Sequence, residues 1–134
     1  MVHNRATMAS RTRRTAAHLR RTLPHLGAAE AAELVRVVDA LVGALRPERI
    51  YVFGSHARGT AAPASDVDLA VIVPASDEPG HRRDQAAYAA IGWHRLPLDV
   101  LVLTRAEFEG WRAVAGSLPA TVADEGRLLY AAAA

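Results

Sequence analysis

The segment Tyr51–Val73, YVFGSHARGTAAPASDVDLAVIV, places Asp66 and Asp68 at the mouth of an apolar run. In an extended strand, residues i and i+2 point to one face, so the two carboxylates project together. Like charges that close repel, and burial raises a carboxyl pKa unless a cation offsets it. Paired carboxylate oxygens suit hard divalent ions such as Mg²⁺ or Mn²⁺. Asp99 stands at the start of a later apolar run, PLDVLVLT, as Asp68 stands in its own. If those strands are neighbours, a third carboxylate joins the cluster. Upstream, Gly54 ends the first strand and lets backbone approach a ligand. Ser55 and the amides after it open a turn able to receive phosphate. Arg58 adds a planar, permanently charged fork suited to phosphate oxygens. A phosphate cradle facing a carboxylate cluster equips a site for phosphoryl or nucleotidyl transfer.

Each residue also has a plainer reading. PASD before Val67 is ordinary turn chemistry, Asp99 fits a strand edge, and Arg58 fits a surface ion pair. His56 reads as an incidental loop histidine, and Ser65 orients Asp66 or closes a turn. Trp93 and Trp111 read as core or interface residues, and Arg82 and Arg83 as a solvated helix start.

The elements that position these groups follow from hydropathy. EAAELVRVVDALVGAL, Glu30 to Leu45, carries Leu34, Val37, Val38, Leu41, Val42 and Leu45 on one helical face. Acidic residues suit its first turn and Pro47 stops it. Ile50 to Phe53 is a short strand, Val67 to Val73 a longer one closed by Pro74, and Pro97 to Thr104 a third. RRDQAAYAAIGW and RAEFEGWRAVA read as helices. SLPATVADEGRLLY reads as a helical stretch, a break at Gly126 and a short strand. The expected fold class is α+β, a small mixed β-sheet with helices packed on one side.

The chain has 134 residues, 51% of them hydrophobic, enough for one domain with one core. It lacks cysteine, which excludes disulfides, thiolate metal sites and a Cys nucleophile. All 16 basic residues are Arg, so Lys-based nucleophiles and Schiff bases are excluded as well. Residues 1–29 hold six Arg and no acid; the remainder holds ten Arg against 14 acids, a net of −4. Residues 1–28 are therefore read as a basic extension, solvated or loosely helical with a helical turn or two ended by Pro24, and 29–134 as the folded domain. The extension suggests an anionic partner such as RNA. No membrane span or secretory signal is evident, so a cytoplasmic location is expected.

In combination, GSHARG, the ten residues between Ser55 and Asp66, SDVDLAVIV and PLDVLVL resemble the minimal nucleotidyltransferases of the DNA polymerase β superfamily. The likeness covers about residues 30 to 130. It implies the polymerase β-like fold, with ATP as substrate and two Mg²⁺ ions held by Asp66 and Asp68. It further implies that Asp99 binds metal at the acceptor and helps deprotonate it, and that Gly54, Ser55 and Arg58 hold the triphosphate. Small members of this group pair with a HEPN-domain toxin, acting as antitoxins that move AMP onto a toxin tyrosine. A non-catalytic antitoxin, or transfer to a small molecule or an RNA 3′ end, are the alternatives.

Overall fold

The computed structural model describes residues 5–133. Residues 1–4 of the basic extension and Ala134 of the terminal alanine run lie outside the described residues. The elements are α1 (Arg5–Thr22), α2 (Ala28–Leu45), β1 (Arg49–Phe53), α3 (Ser55–Arg58), β2 (Val67–Val73), α4 (Gly80–Ile91), β3 (Leu98–Thr104), α5 (Arg105–Trp111), α6 (Leu118–Glu125) and β4 (Arg127–Ala131). The four strands form one mixed sheet in the order β3-β2-β1-β4. β1 pairs antiparallel with β2 and with β4, and β2 pairs parallel with β3. A parallel pair needs a crossover, which α4 supplies.

Strand alternation divides the core between two faces. Ile50, Val52, Val67, Leu69, Val71, Val100 and Val102 point one way, into a cluster with Leu34, Val38 and Leu41 of α2 and Ala87 and Ile91 of α4. Tyr51, Phe53, Ala70, Ile72, Leu101 and Leu103 point the other way, against Phe108 of α5 and Val122 of α6. The mixed sheet expected from the sequence is present, and the three long helices lie on one side of it. The short helices α5 and α6 add a partial layer on the second face, and Asp68 and Asp99 lie beyond its edge.

The basic extension forms an 18-residue helix rather than a turn or two. Its own apolar periodicity is weak, and burial of Leu19 and Leu23 in the main core supplies the stability that propensity does not. α1 packs on α2 and beside β4. Arg83, expected on a solvated helix start, is buried. Its guanidinium donates to the carbonyls of Glu78 (2.8 Å) and Val102 (3.3 Å) and to Glu107 Oε1 (2.6 Å). Glu107 also accepts the Thr104 N–H at the start of α5, so one ion pair joins β3, α4 and α5. Other α4 side chains cover the free edge of β3: Tyr88 Oη and Asp84 Oδ1 each accept a β3 N–H, from Val100 and Val102, at 2.8 Å. Such cover blocks edge-to-edge pairing with another chain. Trp93 and Trp111 are not core residues; they are 78% and 56% exposed.

Candidate active site

The site is built at the end of the sheet where β1 stops and β2 and β3 begin. β1 ends at Phe53, the register partner of Asp68 on β2. Asp68 is in turn the register partner of Asp99 on the parallel strand β3. Strand neighbours lie about 4.8 Å apart, so partnered side chains in parallel strands share a face and meet. Asp68 and Asp99 share that face with Ala70, Ile72, Leu101 and Leu103, at its uncovered end. Asp66, one residue before β2, is exposed beside them, as is Asp99, while Asp68 is half-buried. The structure thus brings Asp66, Asp68 and Asp99 to one end of the sheet.

Gly54 has φ +74° and ψ −154°, a region open almost solely to glycine. A Cβ there would overlap Asp68 Oδ2 and lie 3.2 Å from Asp68 Cγ. The Asp68 carboxylate therefore rests on the glycine backbone, and the turn leads directly into α3. Ser55 begins that helix, and its carbonyl accepts the Thr60 N–H at 2.9 Å. Arg58 ends it, with its guanidinium exposed.

The Asp68 pKa is raised. Burial is the largest cause, followed by the charges of Asp99 and Asp66; His56 and Arg58 pull the other way but do not win. Among the described residues, no basic side chain forms a salt bridge with Asp66, Asp68 or Asp99. Three carboxylates that feel one another and lack a protein cation fit a hard divalent ion by their donor chemistry. Among the described residues, however, no three His, Asp or Glu side chains converge closely enough to hold a metal ion alone. The donor set fits an ion that takes the rest of its coordination from a bound ligand.

Two residues that sequence reasoning did not place also belong here. Glu125, the last residue of α6, accepts the Gly54 N–H at 3.1 Å and pairs with Arg58 at 2.9 Å, through the same Oε1. An anionic oxygen thus already sits on two of the groups expected to meet phosphate. Nothing in the sequence links position 125 to position 54, because the contact exists only once β4 pairs with β1. His56 is buried, not an incidental loop residue. Its Nε2 donates to the Ser65 carbonyl at 3.1 Å, and its Nδ1 meets His25 Nε2 at 3.0 Å. A carbonyl only accepts, so His56 carries its proton on Nε2 and a neutral His56 accepts from His25. This contact ties α3 to the residue preceding Asp66 and to the connection between α1 and α2. Ser65 itself closes a turn, its Oγ accepting the Ala62 N–H at 2.8 Å.

No helix among the described residues is long and apolar enough to cross a membrane. No match is found among curated proteins. Two solved structures are similar. A protein from Sulfolobus solfataricus assigned as a nucleotidyltransferase has TM-score 0.57 at 18% identity, with 87% of each chain covered, a likeness of fold. A chain from a structure of a toxin-antitoxin with AMP-PNP has TM-score 0.47 at 21% identity, with 72% of each chain covered, too distant to argue from. The sequence model of the nucleotidyltransferase domain matches residues 32–129, from within α2 to within β4. That span takes in the whole sheet except the last residues of β4, together with Gly54, Ser55 and all three aspartates, and by it the chain belongs to the nucleotidyltransferase domain family.

Proposed function

We propose that this nucleotidyltransferase moves AMP from ATP, with Mg²⁺, onto a tyrosine hydroxyl of a partner HEPN-domain toxin, and so acts as its antitoxin. The observation that carries the chemistry is the in-register pair Asp68 and Asp99, flanked by Asp66 and without a protein cation. In this reading Asp66 and Asp68 would hold Mg²⁺. Asp99 orients the acceptor hydroxyl and takes its proton. Gly54 leaves room for Asp68 and for a phosphate oxygen, Ser55 donates to that oxygen, and Arg58 turns from Glu125 toward the phosphates. The metal, when bound, supplies positive charge for the attacking and leaving oxygens. The oxygen–phosphorus bond to the acceptor forms as the bond to pyrophosphate breaks, with no covalent enzyme intermediate.

The test uses α-labelled ATP and the cognate toxin. Label is expected on the toxin and lost in Asp66→Asn and Asp68→Asn. Transfer undiminished in either variant would sink the metal assignment. A non-catalytic antitoxin, neutralising its partner by complex formation, has one observation in its favour: Glu125 already occupies Arg58 and the Gly54 N–H. An Asp66→Asn/Asp68→Asn double variant that still protects cells would support it. Label on a small molecule or an RNA 3′ end instead of the toxin would identify those acceptors.

A further inference from the structure

We propose that the outer face of α1, with the groove between α1 and β4, is a docking surface for single-stranded RNA. This surface is independent of which hydroxyl accepts the nucleotide. α1 carries basic residues and no acid. Arg13, Arg14, Arg20 and Arg21 are all exposed. Arg13 and Arg20, and Arg14 and Arg21, are each seven apart, close to two full helical turns, so they form two rows on one face. Among the described residues none of the four pairs with an acid, whereas Arg11 lies 3.8 Å from Asp39. Cations left unpaired along one face, in a chain whose remainder is net acidic, are complementary to a polyanion.

The surface has a direction. β4 pairs with β1 on one edge only, and α1 flanks its other edge. Between them lies a groove of about 440 Å³ lined by Arg11, Arg14, His18 and Tyr130, among others. His18 Nε2 meets the Leu128 carbonyl at 2.6 Å, and Arg127 Nη1 donates to the Thr22 carbonyl at 3.4 Å. Arg127 is the register partner of Val52, two residues before Gly54. Just past α1, His25 touches His56 beside Ser55. The arginine rows therefore run along β4 and end at the aspartate-bearing end of the sheet. The groove sets guanidinium groups beside Tyr130, a half-buried ring packed on the core, and guanidinium and aromatic groups together are what single-stranded nucleic acids use. The groove lining also includes Thr15 and His18, polar side chains of the kind that hydrogen-bond a 2′-hydroxyl, which favours RNA over DNA.

The test is fluorescence anisotropy of a labelled single-stranded RNA with the full chain, titrated at several salt concentrations. Four neutralised phosphates predict a log–log salt slope of about −3, an affinity loss of about 60-fold between 50 and 200 mM salt. Arg13→Gln, Arg14→Gln, Arg20→Gln and Arg21→Gln should each flatten the slope by about 0.7. Arg112→Gln, in a surface pair with Glu109, should leave it unchanged. Helical circular dichroism confirms that the variants, all at exposed positions, remain folded. A wild-type slope near zero, or a quadruple variant that binds like wild type, would overturn the proposal. So would DNA of the same sequence binding as tightly as RNA, or vesicles of anionic phospholipid retaining the chain as tightly.

Discussion

Replacing Gly54 by Ala tests the site through stability alone, without any assumption about its substrate. Two terms add. The φ +74°, ψ −154° conformation costs a residue with a Cβ about 1–3 kcal/mol. The new Cβ would also overlap Asp68 Oδ2, and Asp68 cannot simply swing away, since Asp66 and Asp99 repel it on the open side. Pushing it off its rotamer adds about 0.5–1.5 kcal/mol. Ala restricts the unfolded chain more than Gly and returns about 0.5–1 kcal/mol. The net is a loss of about 0.5–4 kcal/mol, centred near 2 kcal/mol, or roughly 8 °C in Tm for a domain of this size. Thermal and urea melts followed by circular dichroism measure it. The two terms separate in a cycle with Asp68→Ala: once the carboxylate is gone only backbone strain remains, so Gly54→Ala should cost about 1 kcal/mol less there. A Gly54→Ala protein melting within about 2 °C of the parent would refute the strained-turn reading. An equal cost in both backgrounds would remove Asp68 from the glycine's neighbourhood.

Asp68→Asn should behave differently at different pH. The folded pKa of Asp68 is raised by burial, Asp99 and Asp66, so the native state binds the proton more tightly than the unfolded chain. Stability is then lost as pH rises through the carboxylate range, and the penalty is full above the folded pKa. In metal-free buffer the Tm of Asp68→Asn relative to wild type should therefore be higher at pH 7 than at pH 4; a pH-independent difference contradicts the repulsion. Mg²⁺ should raise the wild-type Tm at pH 7 more than that of Asp68→Asn. Glu125→Gln keeps an acceptor for the Gly54 N–H but releases Arg58. Because the pair is half exposed, Tm should fall by no more than the loss of about 1 kcal/mol implies. ATP affinity measured by calorimetry should rise severalfold, and weaker binding would make Glu125 a positioning residue rather than a competitor for Arg58.

Much of the fold was legible because the relevant signals are local. β2 occupies Val67–Val73 as its β-branched run and Pro74 indicate, and α2 follows its apolar stripe. The order of short elements after β3 could also be read from the Gly126 break. The pairing of Asp68 with Asp99 followed only conditionally: the sequence placed each at a strand start, and it took the parallel register to make them neighbours. α1 was not legible, because Leu19 and Leu23 make little of an amphipathic stripe until α2 offers them a core. Arg83 looked solvated because its partners, Val102 and Glu107, lie on elements that come later in the chain. His56 and Glu125 escaped for the same reason. A buried polar contact between distant positions leaves no period and no spacing in a sequence.

The departures from local rules are concentrated at one end of the sheet. Gly54 adopts a conformation that other residues avoid. Asp68 sits half-buried against two like charges. Glu125 closes a helix at the terminus whose dipole favours cations. His56 is buried on a second histidine. At the opposite end of β1 and β2 the departure is αL Arg46 (φ +48°), which with Pro47 ends α2, and Glu48 takes the Arg105 guanidinium. Stability alone would distribute strain or remove it; Asn at 68 would relieve the repulsion there. Conflicts of this kind persist where another constraint holds them, and they gather at functional sites. Two of the four involve charge, and their signs agree. The Asp cluster lacks a cation, while the arginine beside it is held by a carboxylate. A metal–triphosphate complex offers a cation for Asp66, Asp68 and Asp99 and anionic oxygens that can replace Glu125 on Arg58. The electrostatic imbalance of the free chain is thus complementary to one class of ligand, and family membership names the same class independently.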